Sequence, residues 1–196
     1  MRLSQSNTEG ITKSPIARTA WVTLLFSLMA GVADARPPGL NPHARNELRD
    51  VGLDRYVGQF KPAGDAEDAG GGWDKYTFDT EGGDGPICIN GTPLTAFHQQ
   101  REAKKLLIVL DGGGACVQDS YQCSIEADET PPGNGGIFAD SFAGVIDNPF
   151  EQWSKVFVSY CDGSVWSGDN DVVDPNFPFG PVRHHRGIRN LTAALD

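Results

Sequence analysis

Two uninterrupted apolar runs stand out in the second half of the chain. One is Leu106–Leu110, and the other lies within Lys155–Cys161. Neither run alternates apolar with polar residues, which is the pattern of strands that are buried on both faces of a largely parallel sheet. The sequence therefore predicts two central strands of an α/β sheet.

Shorter elements are predicted on either side of these runs. Trp73–Phe78 and Ile87–Asn90 have the composition of short strands. The tight turn Asn90-Gly91 leads into residues 94–99, so the segment 87–99 is predicted to be a β-hairpin. Apolar positions recur at threes and fours over 182–196, which predicts a helix.

The remaining segments are predicted to be irregular. Residues 48–60 indicate a short helix or turn region. Gly64–Gly72 is predicted to be an acidic loop, and Gly163–Gly180 is predicted to be a loop rich in Gly, Asp, Asn and Pro. Hairpin, buried strand, glycine turn, buried strand and helix follow one another in the order expected of the opening half of an α/β sheet.

The first 35 residues have the pattern of an export signal. Basic residues precede the apolar run Ala20–Ala33, and Ala33-Asp34-Ala35 offers a small-x-small cleavage site. A membrane anchor needs about 20 uninterrupted apolar residues, and this run is shorter. We therefore predict a cleaved signal peptide over 1–35, one domain over 36–196, and a secreted protein, extracellular or periplasmic, with no stable membrane insertion after cleavage.

The net charge disfavours two classes of partner. The chain carries 26 acidic and 16 basic residues, a formal charge of −10, and the first 35 residues contribute +1, which leaves −11 for the rest. An acidic surface repels nucleic acid and anionic lipid. Neither is therefore expected to be a partner.

The cysteines indicate disulfides rather than a metal site. An exported chain meets an oxidising compartment, where an even number of cysteines indicates disulfides, and four cysteines leave three pairings open. No C-x-x-C motif occurs, and no histidine lies at ligand spacing from them. The four are Cys88, Cys116, Cys123 and Cys161.

A cluster of acids invites comparison with a calcium loop. Asp169-Asn170-Asp171 and Asp174 would offer oxygen ligands. The segment lacks the glycine and the distant glutamate of a calcium-binding loop. A solvated loop is therefore favoured, and neither a metal nor a cofactor is predicted.

Three consecutive glycines follow the first apolar run. After Asp111, the turn Gly112-Gly113-Gly114 stands where the turn after the third strand of α/β-hydrolases donates a backbone N–H to the oxyanion of the tetrahedral intermediate. A sharp turn without further function is an alternative. A phosphate-binding loop is another, but neither G-x-x-x-x-G-K-[ST] nor G-x-G-x-x-G opening a helix is present.

Four segments, in order, resemble the pectin acetylesterase and Notum family of secreted carboxylesterases. Leu107–Cys116 is similar to that family's strand and LEGGGWC turn, and Val158–Asp169 resembles its YCDGSSFTGD element. Asn148–Ser154 is similar to its NP…W segment, and His185-Arg186-Gly187 resembles the HFRG start of its following helix. The resemblance covers about residues 85–196.

The resemblance implies a fold and an activity. The fold would be the N-terminal part of an α/β-hydrolase sheet. The activity would be removal of acetyl or short acyl groups from an acylated polysaccharide or another ester, without a cofactor. Gly113 and Gly114 would supply the oxyanion N–H groups. Asp111 stands where the family usually has Glu, and Gly114 and Ala115 replace aromatic residues of some relatives, which implies a less bulky acyl pocket.

The resemblance also implies a disulfide pairing, and two further residues, considered individually, each have two interpretations. Asp162 would brace the loop beside the glycine turn through backbone N–H groups, with an ordinary turn cap as the alternative. Trp166 would line the mouth of a pocket or belong to the core. The implied disulfides are Cys88–Cys161 and Cys116–Cys123.

The serine nucleophile that such an enzyme needs is not evident in the sequence. No G-x-S-x-G motif occurs, and the chain ends at Asp196, where the family's elbow would still follow. Ser141 is the nearest imitation, but it precedes the second strand. His184 and His185 are expected to be structural, because the catalytic histidine of this fold comes later in the chain.

Two hypotheses therefore stay open. The chain is part of a secreted ester hydrolase, truncated before the nucleophile elbow, or it is a catalytically inactive homologue or binding module. A sheet without its central strand would expose apolar residues at 106–110 and 156–158. We therefore expect the isolated chain to be poorly soluble.

Overall fold

The computed structural model describes residues 42–79, 83–117, 120–142 and 146–196. The predicted signal peptide, 1–35, lies outside these residues. No helix among the described residues is long and apolar enough to cross a membrane.

The described chain is mainly β-structure with two α-helices and one short 3-10 helix, Gly136–Phe138. In chain order the elements are α1 (Pro42–Asp50), β1 (Glu67–Gly70), β2 (Trp73–Phe78), β3 (Leu94–Gln99), β4 (Glu102–Leu110), β5 (Gly114–Val117), β6 (Ser120–Cys123), β7 (Ser141–Phe142), β8 (Ile146–Asp147), β9 (Trp153–Val158), β10 (Asn170–Val173), β11 (Val182–His185) and α2 (Gly187–Leu195).

Among these residues, five strands form the main sheet, in the order β1-β2-β3-β9-β4. The pairs β1–β2, β2–β3 and β3–β9 are antiparallel, and β4 is parallel to β9. Three two-stranded sheets, β5–β6, β7–β8 and β10–β11, complete the described β-structure. The expectation of a largely parallel sheet is therefore wrong, although the mixed α/β class holds.

Strand β4 forms an exposed edge of the sheet. The side chains of Leu106, Ile108 and Leu110 are 48%, 43% and 40% exposed. The prediction that both faces of this strand are buried is therefore wrong. The expectation that residues 156–158 are exposed is also wrong, because β9 lies inside the sheet and Phe157 and Val158 are buried.

The two faces of the sheet are covered unequally. On one face, Ala193 of α2 packs against Phe78, Leu94 and Ala96. On the other face, Phe97 and Phe157 pack with Trp73, and Phe138 contacts Trp73 and Phe157 edge to face. Helix α2 packs on β2, β3 and β9 but leaves Leu106, Ile108 and Leu110 of β4 exposed.

Two of the predicted elements differ in the structure. The strand predicted at 87–90 is a turn, in which the N–H of Gly91 donates to the carbonyl of Cys88 at 3.0 Å. The tight turn is present, but β3 pairs with β2 and β9 instead of forming a hairpin with 87–90. The acidic loop predicted at 64–72 contains β1.

The helix predicted at 182–196 begins only at Gly187. Its first residues form β11, which pairs with β10 inside the segment predicted as a loop. The N–H of His184 also donates to the carbonyl of Ile89 at 3.0 Å. These distant backbone hydrogen bonds outweigh the helical spacing of a short segment.

Three arginines neutralise the acids that had invited comparison with a calcium loop. Arg183 pairs with Asp174 at 3.1 Å, although Nε is not aligned for a hydrogen bond. Arg186 holds Asp171 with two hydrogen bonds, and the remaining pair is Arg189 with Asp169. The segment is therefore not a fully solvated loop. Within the described ranges there is no group of three or more residues placed to hold a metal ion.

Candidate active site at the glycine turn

The glycine turn begins at the carboxyl end of β4. The N–H of Asp111 donates to the carbonyl of Val158 at 3.1 Å, which extends the parallel ladder by one residue. The carbonyl of Gly113 then accepts the N–H of Ser124 at 2.7 Å, and β5 starts at Gly114. The turn is thus held between the end of β9 and the β5–β6 hairpin.

Two of the glycines fill positions that no other residue fits. A Cβ atom at Gly113 would lie 2.4 Å from Cδ1 of Tyr160. At Gly114, with φ of +79°, a Cβ atom would lie 2.2 Å from the carbonyl oxygen of Gln122. Both distances are far below van der Waals contact, so the close packing of the turn requires glycine.

The N–H groups of these glycines are left available. Gly114 lies opposite Cys123 in the β5–β6 ladder. The N–H of Ser124 donates to the carbonyl of Gly113, so the neighbouring pair Gly114–Cys123 is a non-hydrogen-bonded pair of the antiparallel ladder. The N–H of Gly114 therefore points away from β6. In the described chain, the N–H of Gly113 also donates no hydrogen bond outside the β-ladders. Such donors are what an oxyanion requires.

Two disulfides surround the turn. The bonds are Cys88–Cys161 and Cys116–Cys123, the pairing that the resemblance implies. The N–H of Cys116 donates to the carbonyl of Gly163 at 3.0 Å. A Cβ atom at Gly163 would lie 2.8 Å from Cβ of Cys116. The loop after β9 therefore packs directly on the disulfide-closed β5–β6 hairpin.

Tyr160, which sequence analysis did not single out, connects the two loops. Its hydroxyl donates to the carbonyl of Gly114 at 2.7 Å and accepts the N–H of Val165 at 2.9 Å. Val165 and Trp166 both have left-handed backbone angles, with φ of 54° and 62°. This conformation costs roughly 1–3 kcal/mol per non-glycine residue. The surrounding contacts must therefore hold it in place.

Trp166 is one of these contacts. Its indole Nε1 donates to the carbonyl of Asp111 at 3.2 Å, and its ring centroid lies 5.3 Å from that of Tyr160. The residue is partly buried. Trp166 thus lies against the glycine turn, so it is neither a core residue nor remote from the site.

Asp162 is fully buried below the same loop. Its Oδ2 accepts a hydrogen bond from the hydroxyl of Ser164, which in turn accepts the N–H of Gly168 at 2.9 Å. Burial raises the pKa of Asp162, while the hydrogen bond from Ser164 and the charge of His185 act in the opposite direction. Asp162 therefore reaches the loop through the hydroxyl of Ser164, and the backbone N–H groups of Ser164 and Gly187 also lower its pKa. Oδ1 has no partner of hydrogen-bond geometry among the described residues.

Asp111 and Asp128 form a pair of acids beside the turn, and sequence analysis did not identify this pair. Partial burial and the nearby charge of Asp111 raise the pKa of Asp128, while a hydrogen bond with Ser159 lowers it. The backbone of Asp128 is fixed because its carbonyl accepts the hydroxyl of Thr95 at 2.6 Å. Sequence spacing gives no signal for this pair, because the two acids belong to different loops.

The other residues considered for catalysis lie apart from the turn or have structural partners. Ser141 belongs to β7, in the segment that leads to the start of β9, at the opposite end from the glycine turn. His184 contacts Asp171 at 2.9 Å, and His185 contacts the carbonyl of Asp162 at 3.0 Å. Both histidines lie in β11 rather than in a helix. Within the described ranges no histidine is hydrogen-bonded to a serine.

The comparisons with known proteins agree on one family. The family model described as Pectinacetylesterase matches residues 74–196. Pectin acetylesterase 11 of Arabidopsis thaliana is 28% identical over 57% of this chain and 30% of its own length. Pectin acetylesterase 4 of the same plant is 32% identical over 47% of this chain and 25% of its own length.

The matches are partial for the relatives and absent for solved structures. The chain spans about 30% of the length of Pectin acetylesterase 11. No solved structure matches it at a significant level. The family model, however, covers more than half of the chain, including the glycine turn, both disulfides and α2. The chain therefore belongs to the pectin acetylesterase family.

Proposed function

We propose that this chain forms the oxyanion-binding part of a secreted serine carboxylesterase that removes acetyl or short acyl groups. The observation that carries the proposal is the glycine turn. Among the described residues, the N–H of Gly113 donates no hydrogen bond outside the β-ladders and the N–H of Gly114 points away from β6, both at the carboxyl end of a parallel strand. Each such donor stabilises the transition state of acyl transfer by roughly 3 kcal/mol.

The serine would come from a strand that pairs with the free edge of β4. That edge ends at Leu110, directly before the glycine turn, so a strand added there would end beside Gly113 and Gly114. The exposed side chains of Leu106 and Ile108 supply the apolar surface that such a strand would cover. In this proposal the domain predicted over 36–196 continues past Asp196, and the nucleophile elbow belongs to that continuation.

In the proposed reaction, the serine attacks the ester carbonyl and the developing oxyanion accepts the N–H groups of Gly113 and Gly114. The alcohol leaves, and water then hydrolyses the acyl-enzyme. Tyr160 and Trp166 hold the turn, because they bind the carbonyls of Gly114 and Asp111. None of these steps needs a cofactor.

The substrate class is an acylated polysaccharide or another ester. The similar plant proteins are named pectin acetylesterases. A chain with a formal charge of −11 after the predicted signal would repel a highly charged polyuronate at low salt. We therefore expect hydrolysis of such a polymer to increase with moderate salt, whereas hydrolysis of a neutral ester should not.

The second candidate is a catalytically inactive homologue or binding module. It is favoured by two observations: G-x-S-x-G is missing from the chain, and in the part that the structure describes no serine is hydrogen-bonded to a histidine. In that case the glycine turn would be retained for its packing alone.

Hydrolysis of p-nitrophenyl acetate separates the two candidates. The chain expressed for export is compared with the product of any in-frame sequence that follows Asp196, and circular dichroism checks that both are folded. We expect turnover only from the longer product. Turnover by the 196-residue chain that is lost in Ser141→Ala would contradict the assignment of the nucleophile, and an inactive longer product would favour the binding module.

A further inference from the structure

The hydroxyl of Ser164 is bonded in both directions. It donates to Oδ2 of Asp162, which is fully buried, and it accepts the N–H of Gly168 at 2.9 Å. Its two partners come from the two ends of the loop that follows β9. Because one hydroxyl makes both bonds, it ties the start of this loop to its end.

Two glycines make room for Ser164. A Cβ atom at Gly168 would lie 2.6 Å from Cβ of Ser164, and one at Gly187, the first residue of α2, would lie 2.6 Å from its Oγ. A Cβ atom at Gly187 would also lie 2.6 Å from Cα of Trp166. The N–H of Ile188 donates to the carbonyl of Gly168 at 3.1 Å. The loop is therefore packed directly on the start of α2, and Ser164 lies at the contact.

The two residues after Ser164 carry the contacts to the glycine turn. The N–H of Val165 donates to the hydroxyl of Tyr160, and the indole of Trp166 donates to the carbonyl of Asp111. Val165 and Trp166 also have the left-handed backbone angles, which neighbouring contacts must hold in place. The Ser164 hydroxyl bridges the loop on both sides of this strained pair.

We propose that Ser164 is a positioning residue for the glycine turn. Its hydroxyl fixes the left-handed backbone at Val165 and Trp166, and Trp166 then holds the turn through the carbonyl of Asp111. Ser164 acts through these neighbours and does not touch the oxyanion. Its importance for catalysis rests on the proposed function, but the coupling between Ser164 and the turn is a property of this chain that is measured without turnover.

The test compares Ser164→Ala with Ser167→Ala in the full chain, expressed for export and labelled with nitrogen-15. Ser167 is the matched control, because its hydroxyl donates to the carbonyl of Ser164 at 2.8 Å in the same loop but the residue is exposed. The readouts are the indole N–H resonance of Trp166, assigned with Trp166→Phe, and the amide resonances of Gly113 and Gly114. We expect Ser164→Ala to shift these resonances and Ser167→Ala to leave them near their wild-type positions.

A conservative change at Asp162 separates positioning from a general loss of stability. Asp162→Asn keeps an oxygen that accepts the hydroxyl of Ser164, whereas Asp162→Ala removes the acceptor. Both variants lose the buried carboxylate. We expect the indole resonance of Trp166 to keep its wild-type position in Asp162→Asn and to move in Asp162→Ala, a difference that a merely structural role of the carboxylate would not produce.

Hydrogen exchange of the wild-type chain decides the question should Ser164→Ala not fold. The N–H groups of Gly168 and Val165 and the indole N–H of Trp166 should share one opening free energy, because release of the Ser164 hydroxyl opens the whole loop. Much faster exchange at Gly168 than at the other two groups would show that its bond to Ser164 opens independently, and would overturn the proposal.

Kinetics of the longer in-frame product connect the coupling to catalysis. Ser164→Ala should lower kcat for p-nitrophenyl acetate roughly tenfold or more with little change in KM, because a displaced oxyanion donor weakens binding of the transition state alone. Ser167→Ala should keep the wild-type kcat. An inactive longer product would contradict the proposed function, while the resonances of the isolated chain would still decide the positioning role.

Two results would overturn the proposal. One is wild-type resonances of Trp166, Gly113 and Gly114 in folded Ser164→Ala. The other is an equal shift of these resonances in Ser164→Ala and Ser167→Ala.

Discussion

The hydroxyl of Tyr160 lies 2.7 Å from the carbonyl oxygen of Gly114 and donates a hydrogen bond to it. The same hydroxyl accepts the N–H of Val165 at 2.9 Å. The Tyr160 side chain thus joins the glycine turn after β4 to Val165 and Trp166, the two residues with left-handed backbone angles after β9. Because the two loops come from neighbouring parallel strands, this bridge fixes how the turn faces the end of the sheet.

Tyr160→Phe should destabilise the chain by about 1–3 kcal/mol, because the carbonyl of Gly114 and the N–H of Val165 both lose their partner. Urea unfolding followed by circular dichroism measures the change. Tyr76→Phe is the matched control, since the hydroxyl of the partly buried Tyr76 makes no side-chain hydrogen bond among the described residues. Equal stability of the two variants would show that the Tyr160 bridge contributes nothing.

Gly114→Ala should cost about 3 kcal/mol or more, because the new Cβ would lie 2.2 Å from the carbonyl of Gln122 at a φ of +79°. Gly112→Ala is the matched control in the same turn. A Cβ there meets nothing within 4 Å, so its effect should stay within about 0.5 kcal/mol. Similar unfolding midpoints for the two variants would contradict the close packing of the turn.

Much of this site was predictable from local sequence, and the rest was not. The glycine turn follows an apolar run, so its position could be predicted, and the similarity to the family implied the disulfide pairing that the structure has. The oxyanion role of Gly113 and Gly114 stays a prediction. Tyr160 gave no signal, because its partners Gly114 and Val165 are recognised only when β4 and β9 are known to be parallel neighbours.

The errors in predicted elements have the same origin. The spacing of Val182, His185 and Ile188 indicates a helix, yet the backbone of His184 pairs with Asp171 of β10 and with Ile89. The uninterrupted run of β4 indicates burial on both faces, and only the strand order shows that this strand lies at an edge. Long-range pairing decided both cases, and periodicity does not report it.

The ion pair between Asp171 and Arg186 should make stability depend on pH. Hydrogen bonds from Arg186 lower the pKa of Asp171 to about 2, below its value of about 3.9 in an unfolded chain. A depressed folded-state pKa means that the stabilisation is fully present above pH 4 and is lost as the pH falls from 4 to 2. Solvent screens part of the effect, because the Asp171 side chain is 37% exposed.

Asp171→Asn should therefore flatten the dependence of unfolding free energy on pH between 4 and 2. Urea titrations at several pH values measure it. Asp65→Asn, at an exposed acid that forms no ion pair in the described chain, should keep the wild-type slope. If folded Asp171→Asn kept the wild-type slope of unfolding free energy against pH, Asp171 would not be the source of that pH dependence.

The open edge of β4 should drive self-association of the isolated chain. Ile108 is 43% exposed and lies in a strand that has a partner on one side only among the described residues. Ile108→Lys should raise the monomer fraction in light scattering after size exclusion, because a charge on an edge strand opposes pairing with another chain. Val173→Lys, at a more exposed position outside the main sheet, should have little effect. A monomeric wild-type chain with a sharp, cooperative melt would contradict this prediction.

The most direct test of the central claim is labelling with a serine-directed fluorophosphonate, followed by mass spectrometry of the labelled peptide. The claim is that this chain supplies the oxyanion donors Gly113 and Gly114 and that the nucleophile lies elsewhere. We predict no label on the folded 196-residue chain and a label on one serine of the longer in-frame product, beyond Asp196. A stoichiometric label on Ser141, Ser164 or any other serine of this chain would contradict the account.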